Sequence, residues 1–266
     1  MKLLLFSGSH SRHFYIHDAL IKLGYEVKAV IMQREAELPD PPNLCPPEEQ
    51  VLFNTHFNDR NVVEREIYGD IAISDVFADV DTLYCTPDTL NGPKTEAFIQ
   101  SFKPDVAFVF GVNLLHENIL KILPYSNFNL HLGLSPWYRG SATLFWPFYF
   151  LQPQFAGATL HRLAIGADSG EIFKQFVPTL IPGDGIHQHA ARVVLEARRH
   201  VIDLVEEMMR NPKLDGTVQK STGRIFLTRD FQPSHLRLIY NEFNNRIIDE
   251  YLDGRLEQTK PKLIYN

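Results

Sequence analysis

The first 32 residues constrain the fold most tightly. Lys2 to Phe6 is a continuous apolar run, SGSHSR follows at residues 7 to 12, and a periodic stretch through Phe14, Ile16, Ala19, Leu20 and Leu23 stops at Gly24. A second apolar run, rich in β-branched residues, spans Val27 to Met32. Strand, glycine turn, helix and strand in about thirty residues form the parallel βαβ unit, so the amino-terminal half is expected to be α/β.

The pattern then breaks. ELPDPPNLCPP, residues 37 to 47, holds five prolines and supports neither a ladder nor a helix interior. Helical spacing returns from Glu48 to about Ile71, which makes residues 33 to 80 an inserted proline-rich and helical segment. Strands are expected at 81–85, 105–111, 127–131, 158–164 and 171–176, and helices at 93–102, 114–123 and 185–210. After that come a strand pair around 223–228 and a helix over about 233–252. The expected organisation is a principal domain over 1–212 and a small α+β module over 213–266.

With 44% hydrophobic residues and a net charge of -6, the chain can bury a substantial core and lacks the basic surface of a nucleic-acid binder. Two cysteines far apart in sequence, Cys45 and Cys85, favour a reducing compartment over a disulfide framework. The opening apolar run is far shorter than the ~18 residues of a membrane span, and a cytoplasmic protein is expected. His13 and His17 have the i, i+4 spacing of zinc ligands but no accompanying thiol or paired carboxylate, so no metal site is expected.

In open parallel sheets, ligands sit outside the carboxyl ends of the strands, which places Gly111 to Leu115 and Asn129 to Gly140 where a site is expected. The second stretch carries Asn129-Leu130-His131 and then Leu134-Ser135-Pro136-Trp137-Tyr138-Arg139-Gly140. Gly157-Ala158-Thr159-Leu160-His161 and Asp168-Ser169-Gly170 follow in order. These four motifs, with Asp168 39 positions after Asn129, resemble those of the folate-dependent formyltransferases, which act on glycinamide ribonucleotide, methionyl-tRNA and sugar nucleotides. The likeness is strongest from Asp105 to Ile172. It departs at Gly133-Leu134-Ser135, where many relatives carry Ser-Leu-Leu.

The resemblance implies a Rossmann-like formyltransferase fold with a mostly parallel sheet, and 10-formyltetrahydrofolate as co-substrate. It also implies an acceptor amine attacking the formyl carbon, with Asn129, His131 and Asp168 as the catalytic set. The Asn129 amide and a protonated His131 would donate to the tetrahedral oxyanion, and Asp168 would favour the imidazolium and help move the amine proton. Phe110, Gly111, Val112 and Leu114 match the segment lining the pterin pocket, and Ile165 and Gly166 the loop that closes it. Ser9, His10 and Arg12, at a turn opening a helix, are candidates to hold a substrate anion, with a plain helix cap as the other reading. Trp137, Tyr138 and Arg139 are candidates to wall the acceptor, and a nucleotide base could stack on the two aromatic rings.

Among acceptors, methionyl-tRNA is disfavoured by the acidic chain and short carboxyl-terminal region. A glycinamide ribonucleotide enzyme would not need the excursion or the terminal module. An amino sugar, usually nucleotide-linked, is the expected acceptor; another small amine, or a non-catalytic folate-binding relative, is the alternative. The apolar residues of the terminal module also suggest a possible homodimer.

Overall fold

The computed structural model describes residues 1–34, 39–42, 44–220 and 223–265. A seven-stranded sheet forms its centre: β1 (Lys2–Ser7), β2 (Glu26–Met32), β3 (Asp81–Cys85), β4 (Val106–Phe110), β5 (Asn127–His131), β7 (Ala158–His161) and β8 (Ile172–Phe176). A two-residue strand, β6 (Arg139–Gly140), lies outside it. The order is β3-β2-β1-β4-β5-β7-β8, so the chain walks outward from β1 in one direction and then returns to β1's other side with β4. Neighbours from β3 to β5 are parallel, while β7 runs antiparallel to β5 and β8 antiparallel to β7. The fold is therefore α/β with a mostly parallel sheet.

Strand periodicity divides the core. Leu3 and Leu5 of β1, with Val106, Phe108 and Phe110 of β4, face one layer; Leu4, Phe6, Ala107 and Val109 face the other. Both faces are covered, which is why these strands read as unbroken apolar runs rather than alternating ones. The first layer holds α1 (Ser11–Ile21), α2 (Pro47–Tyr68), α3 (Ile73–Phe77) and the long α7 (Ile186–Arg210). The second holds α4 (Pro93–Phe102) and α5 (Glu117–Leu120), the latter shorter than its apolar pattern suggested.

The segment 33–80 contributes α2 and α3. Part of the proline-rich stretch, residues 37, 38 and 43, lies outside the described residues; 39–42 and 44–46 carry no helix or strand.

The described carboxyl-terminal residues share a core cluster with earlier parts of the chain. Phe226, Leu236, Ile239, Ile247 and Ile248 are buried in a third cluster with Phe53 of α2, Ile186 of α7, and Leu134, Tyr138, Trp146 and Phe148 of the loop after β5. That loop includes a short helix, α6 (Trp146–Tyr149). The described residues after 213 thus pack against the rest of the chain, and four of the apolar side chains that suggested a dimer face, Leu236, Ile239, Ile247 and Ile248, are buried inside it. Of the strand pair expected around 223–228 the described residues hold one short strand, β9 (Ile225–Phe226), and it pairs in parallel with β6, far away in sequence. The helix expected over 233–252 is interrupted: a 3-10 turn (Pro233–His235) leads into a π-helical turn (Leu238–Glu242), and α8 (Ile247–Leu252) follows only after Asn244 and Asn245, whose left-handed φ values of 47° and 58° break the run. Thr217 and Tyr265 bridge to β8, covering the edge of the large sheet.

Candidate functional site

The order in which strands are added reverses between the parallel neighbours β1 and β4, and their carboxyl ends lie side by side there: Ser7 pairs with Phe110, and Gly8 N donates to Phe110 O at 3.0 Å. A cleft of about 1500 Å3 opens above this point. Its wall takes in His10, Arg12 and His13 after β1, Phe110 to His116 after β4, and Asn129 to Leu132 at the end of β5. Residues 140–143 and part of 161–168 close the other side.

Sheet register assembles the polar cluster. Asn129 stands directly opposite His161 across the antiparallel β5–β7 pair, and His131 opposite Thr159. Alternation then puts Asn129, His131 and His161 on one side, with Leu130 and Leu160 in the core on the other. The Asn129 amide Nδ2 lies 3.3 Å from His161 Nε2. Thr159 secures the following turn: its hydroxyl donates to Gly133 O at 2.7 Å and accepts from Ser135 N at 3.0 Å.

Asp168 closes the set from the loop after β7. Its Oδ1 is 3.4 Å from His131 Nδ1 and 3.2 Å from His161 Nε2, and its Oδ2 accepts from Gly140 N at 2.8 Å. The second nitrogen of each ring bonds a backbone carbonyl: His131 Nε2 donates to Tyr138 O and His161 Nδ1 to Arg162 O, both at 2.8 Å. The backbone of this loop is held by Gln219, whose Nε2 donates to the main-chain O of Asp168 at 2.9 Å and of Gly170 at 2.7 Å. Gly140 sits at φ 90° with Phe226 O where a Cβ would point, so only glycine can bring this amide to the carboxylate while its strand pairs with β9.

Burial would raise the Asp168 pKa, but His131, His161 and the Gly140 amide outweigh it and hold the carboxyl well below the usual range. Burial pushes His131 down from 6.5, and Asp168 and the Tyr138 carbonyl offset this only in part. A neutral ring can donate to only one of its two flanking acceptors, so the geometry favours a proton that desolvation opposes. The net direction is downward.

The site residues expected from sequence divide by position. Asn129, His131 and Asp168 come together on the cleft wall, as do Phe110, Gly111, Val112, Leu114 and Gly166. Ile165 points outward and is exposed. His10 and Arg12 line the cleft and Ser9 does not. Two observations count against an anion at that turn: His10 N already donates to His13 Nδ1 at 3.2 Å, and Arg12 Nη1 donates to both oxygens of Glu64 at 2.7 and 3.0 Å.

Trp137, Tyr138 and Arg139 are not part of the cleft wall. Tyr138 is buried, stacks on Phe226 and donates its hydroxyl to Gln152 Oε1 at 2.9 Å; Arg139 is buried beside it, and Trp137 sits edge-on to Phe155. Tyr138 and the Arg139 backbone fasten the loop to the terminal segment, while Trp137 remains partly exposed against Phe155.

His161 and His13 had no role assigned from sequence. His161 lay in a quoted motif, and only the antiparallel register reveals that it faces Asn129. His13 fills the space between Gly8 and Gly111, edge-on to Phe110 with ring centroids 4.7 Å apart. Its neighbour His17 is buried on the sheet, where Nδ1 donates to His13 O at 2.6 Å. Among the described residues no group of three or more His, Cys, Asp or Glu side chains is placed to hold a metal ion, and no helix is long and apolar enough to cross a membrane.

No protein-family model matches the chain. Solved structures of low identity share its fold. The formyltransferase PseJ of Anoxybacillus kamchatkensis was solved in complex with UDP-4,6-dideoxy-4-formamido-L-AltNAc and tetrahydrofolate. It is similar over 93% of this chain and 96% of its own, at 16% identity and a TM-score of 0.52. Glycinamide ribonucleotide transformylase 1 of Symbiobacterium toebii matches over 82% of this chain and 94% of its own, at 16% identity and a TM-score of 0.55. A sugar N-formyltransferase of a Shewanella species matches over 87% and 78%, at 13% identity and a TM-score of 0.56.

Proposed function

We propose that this protein transfers a formyl group from 10-formyltetrahydrofolate to the primary amine of a small-molecule acceptor, an amino sugar in nucleotide-linked form. The observation that carries the reading is the convergence of Asn129, His131 and Asp168 on one wall of a cleft. That wall continues into the Phe110–Leu114 segment, where the resemblance places the pterin ring. The volume of about 1500 Å3 exceeds what one small ligand needs and suits a donor and an acceptor side by side.

In this reading the acceptor nitrogen attacks the formyl carbon, forming a tetrahedral oxyanion. The bond to folate N10 then breaks, and tetrahydrofolate leaves with a proton on that nitrogen. One Asn129 Nδ2 hydrogen is directed at His161, leaving the other to donate to the oxyanion. His131 has protein partners at both nitrogens, so rather than donating to the oxyanion it takes up a proton at Nδ1, where the Asp168 carboxylate stabilises the imidazolium that results. The proton released by the amine passes to this imidazole–carboxylate pair through water.

The sugar acceptor is favoured over glycinamide ribonucleotide by two things. The likeness to PseJ extends over more of this chain than that to the ribonucleotide enzyme. The turn at α1 also spends an amide and Arg12 on the protein itself. The test is incubation with 10-formyltetrahydrofolate and a panel of amino-sugar nucleotides, glycinamide ribonucleotide and simple amines, read by mass spectrometry. A formyl adduct on an amino-sugar nucleotide is expected; an adduct only on a non-sugar amine removes the sugar, and no adduct with no donor consumed removes the transferase.

A further inference from the structure

Asp168 reaches His131 from a backbone that residues with a side chain seldom adopt: its φ is 48°, in the left-handed region. The turn around it is tied short. Arg162 N donates to Glu171 O at 2.8 Å across the base of the loop, and Ser169 Oγ donates to Gly166 O at 2.8 Å inside it. Gly170 packs so closely on Arg162 that a Cβ there would fall 1.9 Å from the Arg162 carbonyl oxygen.

Two carbonyls of that turn face the carboxyl-terminal segment, where Gln219 Nε2 donates to Asp168 O at 2.9 Å and to Gly170 O at 2.7 Å. The bridge between Thr217 and Ile172 delivers the glutamine there. Ile172 N donates to Thr217 O at 2.8 Å and Thr217 N to Ile172 O at 2.7 Å, fixing the chain two residues before Gln219 beside the strand that follows Gly170. Carbonyl oxygens can only accept, so the amide must turn its nitrogen to them, and Oε1 is left buried without a hydrogen-bond partner. That orphan acceptor costs stability. What the orientation secures is the pair of carbonyls, and through them the left-handed Asp168.

We propose that Gln219 is a positioning residue for formyl transfer: by clamping the carbonyls of Asp168 and Gly170 it holds the backbone that aims Asp168 Oδ1 at His131 Nδ1, 3.4 Å away, and Oδ2 at the Gly140 amide, 2.8 Å away. The proposal rests on the reading that His131 and Asp168 move the amine proton. Gln219 does not itself line the cleft. The groups that act on the His131 ring are Asp168 from this loop, His161 from β7, and Arg139 with the Tyr138 carbonyl from the loop after β5. Of the charged ones Asp168 favours the imidazolium, whereas His161 and Arg139 oppose it. It is Asp168 that Gln219 holds.

Gln219→Met is close in length and removes both donors. With an acceptor that the unmodified full chain formylates, it is expected to lower kcat about tenfold, the loss of the two hydrogen bonds. His131, followed by NMR and assigned by its disappearance in His131→Gln, is expected to titrate at a lower pH in this variant. Gln219→Leu, equally without a donor, is expected to behave alike. In the Asp168→Asn protein, where the carboxylate is already gone, Gln219→Met is expected to change kcat by less than about twofold and to leave the His131 titration where it was. A packing role would instead cost the same in both backgrounds. Unchanged kcat and His131 titration in both Gln219 variants, or losses that add across the cycle, overturn the proposal. If the unmodified protein formylates nothing, the formyltransferase reading falls, and the NMR titrations alone still judge whether Gln219 holds Asp168 against His131.

Discussion

His131 Nδ1 stands 3.4 Å from Asp168 Oδ1 while the ring's other nitrogen donates to the Tyr138 carbonyl. Replacing the carboxylate by an amide keeps the shape and removes the charge that offsets the burial of an imidazolium. Asp168→Asn is therefore expected to lower kcat on the order of 10²-fold with the Michaelis constant for the folate donor little changed. A Michaelis constant that rises in step with no loss of kcat would place Asp168 in binding rather than in proton movement.

Gly111 has φ 82°, and a Cβ there would overlap the His13 ring. Gly111→Ala is expected to destabilise the fold by about 2 kcal/mol or more, from the left-handed backbone and from displacement of His13. Because Gly111 lines the cleft, donor affinity should fall as well. Denaturant titration and folate binding on the same sample check both; an unchanged midpoint would mean that His13 relaxes freely.

Phe226 is buried and stacks on Trp146 at 4.7 Å, while its backbone pairs with Gly140, whose amide holds Asp168. Truncation to alanine is expected to cost about 3–5 kcal/mol, in line with removal of a core aromatic ring. It should also reduce kcat, although Phe226 does not line the cleft. Full activity in a destabilised Phe226→Ala protein would uncouple the terminal segment from the carboxylate.

Acid should weaken the fold through its buried histidines. Burial lowers His17 from 6.5 to about 4 and His187 from 6.5 to about 3. Below pH 6.5 the unfolded chain takes up protons that the folded rings refuse. The stability from each ring is thus complete above pH 6.5 and declines as pH falls to about 4 for His17 and about 3 for His187. The slope for each is at most about 1.4 kcal/mol per pH unit. Unfolding midpoints measured from pH 7 to pH 4 check this, and in His17→Phe the slope should be shallower.

Local pattern located the strands and the longer helices that cover the sheet, though not the short α3 or the extent of α5. Apolar runs such as Val106 to Phe110 can only be buried on both faces, and the residues from Ile186 to Arg210 repeat with helical spacing along α7. Asn129 and His131 were singled out by the motif they share with the formyltransferases, and alternation along one strand is why the two side chains lie on one face. The motif order pointed to Asp168 as their companion without placing it.

The rest depended on partners distant in sequence. Whether β7 runs parallel or antiparallel to β5 is a matter of how the sheet closes, and that alone puts His161 opposite Asn129. Tyr138 and Arg139 looked like binding residues because a loop beside a strand end is usually solvated. They are buried because β9 and Phe226 return to cover them. Sequence determined which segments carry apolar faces and which residues bring reactive groups; the chain's long-range pairing decided which faces meet, and hence which groups are left lining a cavity.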